Sequence, residues 1–204
     1  MNEFDIKALT WDDNPQSIER SQHIAGKIME HVALNDSMYG FEYGCATGSL
    51  SFNLMPYLKH ITLADSSDGM LDVLRSKIQK FNVTTMDVIK IDLTIDELPP
   101  DKFDIIYTAM TLHHIADVKA IIERFYKMLR PSGYLCIADL DKEDGSFHGE
   151  TFKGHKGFDR EDLKKHFLSA GFKNVKADSC YNLIHESEQH EMLEYPIFLM
   201  TAEK

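Results

Sequence analysis

The chain of 204 residues is poor in several things, and each scarcity removes a class of protein. It has only three cysteines (Cys45, Cys136 and Cys180), scattered and with no Cys-x-x-Cys pair. That excludes a disulfide framework and a zinc knuckle, and it points to a reducing, cytoplasmic setting. No apolar run approaches the length of a membrane span, and the acidic start Met-Asn-Glu-Phe-Asp leads into no signal core. Basic residues are outnumbered, giving a formal charge of −11. A phosphate-backbone partner normally demands a basic face, and no dense Lys/Arg run supplies one, so no nucleic acid is expected. Internal repeats, low-complexity tracts and Gly/Ser-rich linkers are missing too. What remains is ordinary globular composition in one domain.

The stretch Phe41-Glu-Tyr-Gly-Cys-Ala-Thr-Gly-Ser-Leu50 organises the rest. Ser37 to Tyr43 reads as a short buried strand and Ser49 to Leu58 as a helix. A strand turning through glycines into a helix leaves free backbone N–H groups within reach of a ligand. Gly44 can take a positive φ, and Ala46 and Gly48 keep the wall thin. The spacing is not that of a dinucleotide fingerprint, since Ala46 fills the second glycine slot and Ser49 the third. Glu42 would sit poorly beside a pyrophosphate and well beside a cation.

Residues 1–13 are polar apart from Phe4, Ile6, Leu9 and the only tryptophan, Trp11. Asn14-Pro15 starts a helix running to about Leu34, with Ile18, Ala25, Ile28, Met29 and Val32 on one face. Beyond the glycine turn come a strand ending at Asp65, a helix capped by Ser66 or Ser67, and a strand ending at Asp92. Phe103 to Tyr107 is the next strand. A helix over about 117–129 follows, broken by Pro131-Ser132-Gly133, and then a strand from Tyr134 to Ala138, ending at Asp139. Strands alternating with helices mean a parallel sheet, which binds ligands beyond the strands' carboxyl ends. Gly44, Asp65, Asp92, Ala109 and Asp139 all fall there. A polar loop, a helix over about 160–170 and two strands (175–181 and 196–201) complete the chain.

The Glu-x-Gly-x-Ala-x-Gly run resembles the first motif of class I S-adenosylmethionine-dependent methyltransferases, (D/E)-x-G-x-G-x-G. Ala64-Asp65-Ser66-Ser67-Asp68-Gly69-Met70-Leu71 resembles the second. Phe103-Asp104-Ile105-Ile106, Leu112-His113-His114-Ile115 and Leu129-Arg130-Pro131-Ser132-Gly133 are similar to the small-molecule branch related to quinone-biosynthesis enzymes. Ala46 and Ser132 depart from the pattern, each in place of a glycine. The resemblance implies a Rossmann-like, doubly wound α/β sheet of seven strands, order 3-2-1-4-5-7-6 with the last strand antiparallel, in a single domain. It divides that domain into a cap or lid helix (1–35), a cofactor-binding core (36–140) and a substrate-side loop, helix and edge strand pair (141–204).

It further implies S-adenosyl-L-methionine as cofactor, whose ammonium and sulfonium suit Glu42. Asp65 would hold the ribose, Met70 would lie against the adenine, and Asp92 with the Leu93 N–H would hold the adenine amino group. Trp11, Gly44, Cys45, Ala46, Gly48, Ser66 and Ala109 complete the expected cofactor set, Trp11 as a lid or as plain packing. The strand-four exit Thr108-Ala109-Met110 is not the (D/N/S)-P-P-Y box of enzymes that methylate nucleobase or glutamine amines, so a small metabolite is the expected acceptor. His113, His114 and His148 are candidate catalytic bases, with His155 nearby. His114 is preferred because the helix at Asp117 should fix it closest to the sheet. A calcium loop is tested and set aside: Asp139, Asp141, Glu143 and Glu150 mimic ligand positions, but Asp144 stands where glycine is required, so no metal site is expected. Two other readings stay open, a nucleotide-type binding protein and an NAD-dependent oxidoreductase on the same fold.

Overall fold

The computed structural model describes residues 3–100, 102–149, 151–186 and 191–204. Glu150, the last position of the calcium-loop comparison, lies outside them. Seven strands form one sheet in the order β3-β2-β1-β4-β5-β7-β6. They are β1 (Tyr39–Tyr43), β2 (His60–Asp65), β3 (Met86–Lys90), β4 (Phe103–Ala109), β5 (Leu129–Leu140), β6 (Lys173–Glu186) and β7 (Met192–Glu203). The first five run parallel, and β7 is antiparallel to both neighbours. The strand order reverses between β1 and β4, and at such a switch point a crevice opens outside the strand ends.

The helices are α1 (Glu3–Lys7), α2 (Pro15–His31), α3 (Ser49–Leu54), α4 (Asp68–Lys80), α5 (Val118–Met128) and α6 (Arg160–Ala170). They divide between the two faces of the sheet. Ile24, Ala25 and Ile28 of α2, Leu50 and Leu54 of α3, and Leu71 and Leu74 of α4 cover one core with Ile105 and Tyr107 of β4. Ile121, Phe125 and Met128 of α5 and Leu163 and Phe167 of α6 cover the other with Phe41 of β1 and Ile106 of β4. Successive residues of β4 thus serve opposite cores, as strand geometry requires.

Several boundaries differ from the sequence reading. Asn14 caps α2 through Gln16 N–H, but the helix stops at His31, where Val32 turns extended. Ile18 is exposed, and Ile24 holds the core position instead. The helix at Ser49 ends at Leu54 and tightens into a 3₁₀ turn over Met55–Tyr57, because Pro56 has no N–H for the α ladder. Pro131-Ser132-Gly133 does not precede β5 but lies within it. Ser132 takes φ 60°, the pairing with β4 slips between Phe103 and Ile105, and the chain end closes the gap through Lys204 N–H to Gly133 C=O. β6 and β7 also outrun their apolar cores by several residues at each end, since backbone pairing continues through polar positions.

Candidate active site

A cavity of about 780 Å³ opens at the switch point, a size typical of small-molecule sites. One end is built by the glycine turn and the two strands beside it. Gly44 (φ 68°) and Gly48 (φ 82°) hold left-handed backbone, and so does Ala46 at φ 46°, at some cost for a residue with a Cβ. That strain is held by Asp65, whose Oδ2 accepts the Ala46 N–H at 2.8 Å while its Oδ1 accepts Ser67 N–H at 2.9 Å. Burial raises the Asp65 pKa against these hydrogen bonds. Gly44, Cys45, Ala46, Asp65, Ser66, Met70, Asp92, Leu93, Ala109 and Trp11 all line the cavity, together with Glu42. Gly48 is the exception. It starts α3, and a Cβ there would meet Leu74 at 2.7 Å, so this glycine serves helix–helix packing and not the cavity wall.

Glu42 is the most perturbed acid of the site. It is 3% exposed, and its carboxylate accepts a hydrogen bond from Ser51 Oγ, which is in turn 2.6 Å from the Tyr107 hydroxyl. Burial pushes its pKa up to about 8, opposed by the Ser51 hydrogen bonds and helped by the charge of Asp65. The carboxyl therefore stands protonated at neutral pH until a cation joins it.

The residues before α2 carry structure that the sequence reading did not assign. After α1, a 3₁₀ turn spans Ala8–Asp13, and Glu3, Phe4, Lys7 and Trp11 form a wall of the cavity. Two aspartates fasten this segment. Asp5 accepts from Ser67 Oγ at 2.6 Å and Gly69 N–H at 3.1 Å, and a Cβ on Gly69 would strike the Asp5 backbone at 2.8 Å. Asp12 accepts from Thr47 Oγ1 (2.6 Å), Ser49 Oγ (3.3 Å) and Lys77 Nζ (2.9 Å). The available signal was Asp12-Asp13 beside the only tryptophan, which the polar context concealed.

The opposite end of the cavity is rich in histidine. His113 and His114 sit on a 3₁₀ turn, Leu112–His114, directly after β4. His113, not His114, is the one fixed to the sheet. It is 1% exposed and its Nδ1 lies 2.6 Å from Oδ1 of Asp139, itself fully buried in β5. Asp139 also accepts the His113 and Leu140 backbone N–H groups, so the sequence reading of an open strand-end acid gives way to a three-donor anchor. His114 and His148 are exposed on the cavity wall, their rings 4.2 Å and 5.0 Å from that of His113. Burial of part of each ring, with repulsion from neighbouring histidines, lowers both pKa values to about 4. His155 does not join them. Its backbone N–H binds His113 C=O at 2.8 Å and its Nε2 meets Ile115 C=O at 3.0 Å, so it pins the loop to the turn.

Arg20 of α2 also faces this end. Burial lowers its pKa, with Tyr181 and Asp139 the only charges that oppose the shift, and among the described residues it makes no hydrogen bond or ion pair. The acids of the loop after β5 are otherwise engaged: Asp141 holds Arg160 through two 2.6 Å contacts, and Glu143 accepts from Gly145 and Phe147 N–H.

The chain matches the methyltransferase domain model over residues 41–137. It is 30% identical to an uncharacterized methyltransferase of Schizosaccharomyces pombe over 66% of this chain and 53% of that protein. To phosphoethanolamine N-methyltransferase 1 of Zea mays it is 28% identical, over 74% of this chain and 31% of that one. The chain thus spans about a third to a half of the length of these relatives. Among solved structures, the N-methyltransferase NodS of Bradyrhizobium japonicum in complex with S-adenosyl-L-homocysteine superposes with a TM-score of 0.70 at 19% identity, covering 95% of this chain and 89% of that one. These likenesses support a class I S-adenosylmethionine-dependent methyltransferase. The likeness to the quinone-biosynthesis branch stays a loose comparison. Among the described residues no helix is long and apolar enough to cross a membrane.

Proposed function

We propose that this protein transfers a methyl group from S-adenosylmethionine to a small, anionic metabolite bound at the histidine end of the cavity. The observation that carries the reading is one continuous cavity with two chemically distinct ends. Asp65 and Asp92 put carboxylates, and Glu42 a carboxyl that ionises beside a cation, at three adjoining strand ends, while Arg20 at the other makes no hydrogen bond or ion pair among the described residues. The carboxylates suit a ligand bearing an ammonium and a sulfonium and oppose a pyrophosphate, which disfavours the NAD reading. When bound, S-adenosylmethionine supplies an electrophilic methyl group for in-line displacement, a reaction governed chiefly by alignment and exclusion of water.

The chain's own residues supply that alignment. Asp65 has lone pairs left for ribose hydroxyls beyond the two it spends on the glycine turn, and Met70 and Leu93 offer apolar surface for the base. Phe4 and Trp11, edge to face at 6.2 Å, close the side against water. Arg20 would hold a carboxylate or phosphate of the acceptor and so set its reacting atom towards the methyl group. The charge of −11 favours a metabolite over nucleic acid, and the three free cysteines fit a cytoplasmic setting. A thermal shift tests the reading. S-adenosylmethionine and S-adenosylhomocysteine should both raise the melting temperature, while NAD and ATP should not. No shift at millimolar concentrations of either sulfur ligand would refute it.

A further inference from the structure

We propose that His113, His114 and His148 bind a divalent transition-metal ion, zinc in the first instance, at the acceptor end of the cavity. One ring nitrogen from each of the three lies within 4.8 Å of the others. They converge from two separate parts of the chain, the turn after β4 and the loop after β5. His113 has the supporting contact that metal-binding imidazoles need. Two backbone N–H groups already donate to Asp139, so the carboxylate accepts from Nδ1 as well, at 2.6 Å. That fixes the ring and leaves Nε2 as the nitrogen able to offer a lone pair to an ion. His114 and His148 make no ring hydrogen bond among the described residues. They are held by aromatic surface alone: Phe4 edge-on to His114 at 5.4 Å, and Phe152 stacked on His148 at 4.0 Å.

Packing by itself does not account for this arrangement. Three imidazoles grouped as aromatic filler would do as well as three phenyl rings, and would need no buried aspartate behind one of them. A tetrahedral ion with metal–nitrogen bonds of about 2.0–2.1 Å places its donors roughly 3.3 Å apart. His114 and His148 must therefore swing inward, which their exposed rings permit, while His113 serves as the fixed point. An all-imidazole donor set selects zinc, copper, nickel or iron and rejects magnesium and calcium, which want oxygen. Three protein ligands leave a coordination position open towards the cavity, the pattern of reactive rather than structural sites. That position would take an oxygen, sulfur or nitrogen of the methyl acceptor. This last assignment rests on the methyltransferase reading; binding of the ion does not.

The experiment uses the whole chain stripped with a chelator and titrated, without cofactor, with zinc by calorimetry and with cobalt(II) by visible spectroscopy. One equivalent should bind, and cobalt should give the intense ligand-field bands of a four-coordinate site. His114→Gln and His148→Gln should each weaken binding by about a hundredfold or more with an unchanged melting temperature. Asp139→Asn, which reaches the ion through His113 and not by contact, should weaken it about 10- to 100-fold. The proposal is overturned if no stoichiometric ion binds, or if the double variant H114Q/H148Q binds as tightly as the parent, which would put the ion elsewhere. A thermal shift by S-adenosylhomocysteine on the same stripped sample keeps failure here distinct from failure of the methyltransferase reading.

Discussion

Binding of the cofactor should be linked to a proton through Glu42. The carboxyl is 3% exposed and its pKa stands at about 8 in the free protein, with burial the dominant cause. A cation within a few ångströms typically lowers a carboxyl pKa by about 1–3 units. If the cofactor's ammonium brings Glu42 down by about two units, free protein must release a proton to bind at neutral pH. Affinity then rises about 25-fold between pH 6 and pH 8, with limits of about fivefold and fiftyfold for smaller and larger drops. Asp65 pushes the Glu42 pKa up and Lys77 pulls it down, while Cys45 and Tyr107 have pKa values raised by burial and stay neutral. The ligand's own amino group, with an ordinary pKa of about 7.7–8.0, is half or more deprotonated by pH 8, which trims the rise about two- to threefold at that end and closes the window. Calorimetry with S-adenosylhomocysteine, repeated in two buffers of different ionisation enthalpy, measures the affinity slope and the proton count together. Glu42→Gln keeps a partner for Ser51 but cannot ionise, and its affinity should be flat with pH and near the weak, low-pH value of the parent. A parent affinity that changes less than twofold from pH 6 to 8, or an equal slope in the variant, would refute the reasoning.

Without ligand, the same group makes the parent less stable as pH rises. Its folded pKa lies above the unfolded value, so its contribution is complete below about 4.5 and is lost as pH climbs through 8; chemical denaturation of the parent should show the slope and Glu42→Gln should lack it. Asp65→Ala should weaken cofactor binding by about 1.5–3 kcal/mol and also lower the melting temperature, because the carboxylate restrains Ala46 as well as facing the cavity; unchanged affinity with lost stability would reduce it to a loop anchor. Arg20→Met should leave the free protein as stable or more so, since it removes a partly buried charge that makes no ion pair among the described residues, while raising the acceptor KM or abolishing turnover; a fall in melting temperature would mean that the guanidinium is structural. Asp12→Asn should speed hydrogen exchange in residues 3–13. The depressed Asp12 pKa means that this fastening holds above its ordinary pKa and fails as pH drops through the folded value, which exchange at pH 3 and pH 6 would check.

The glycine-turn end of the cavity was legible in the sequence because it is built from local chain. Gly44, Asp65 and Asp92 each end a strand whose apolar core marks it, and parallel topology alone brings those ends to one line. Where the reading failed, the deciding contact spans many residues. Gly48 looked like wall because its spacing fits, yet Leu74, on a different helix, is what forbids a side chain there. His114 looked better anchored than His113, since nothing local reveals that Asp139 turns inward to the turn after β4. The fastening of residues 3–13 by Asp5 and Asp12 was invisible for the same reason. Short polar side chains in a polar stretch carry no periodic signal, and their partners Ser67 and Thr47 are visible only once the chain is folded.

The two ends of the cavity therefore differ in how they can change. At the glycine-turn end, position is set by backbone: the turn is hydrogen-bonded to β2 through Gly44 and Cys45 N–H to Ala64 C=O, and a substitution there disturbs the sheet itself. At the histidine end, position is set by side chains from unrelated elements, Arg20 from α2, His113 and His114 from the turn after β4, and His148 from the loop after β5. Only His113 is tied to the sheet. Under the proposed function, replacing Arg20 or His148 should alter what the cavity accepts without touching a strand. His114 and His148 rest on Phe4 and Phe152, and Phe4 belongs to the segment that Asp5 and Asp12 fasten to the glycine turn. The N-terminal segment thus touches both ends at once. Anything that draws the histidines together should tighten the wall over the cofactor, and loss of either aspartate should be felt at the histidines, some distance from where it was made.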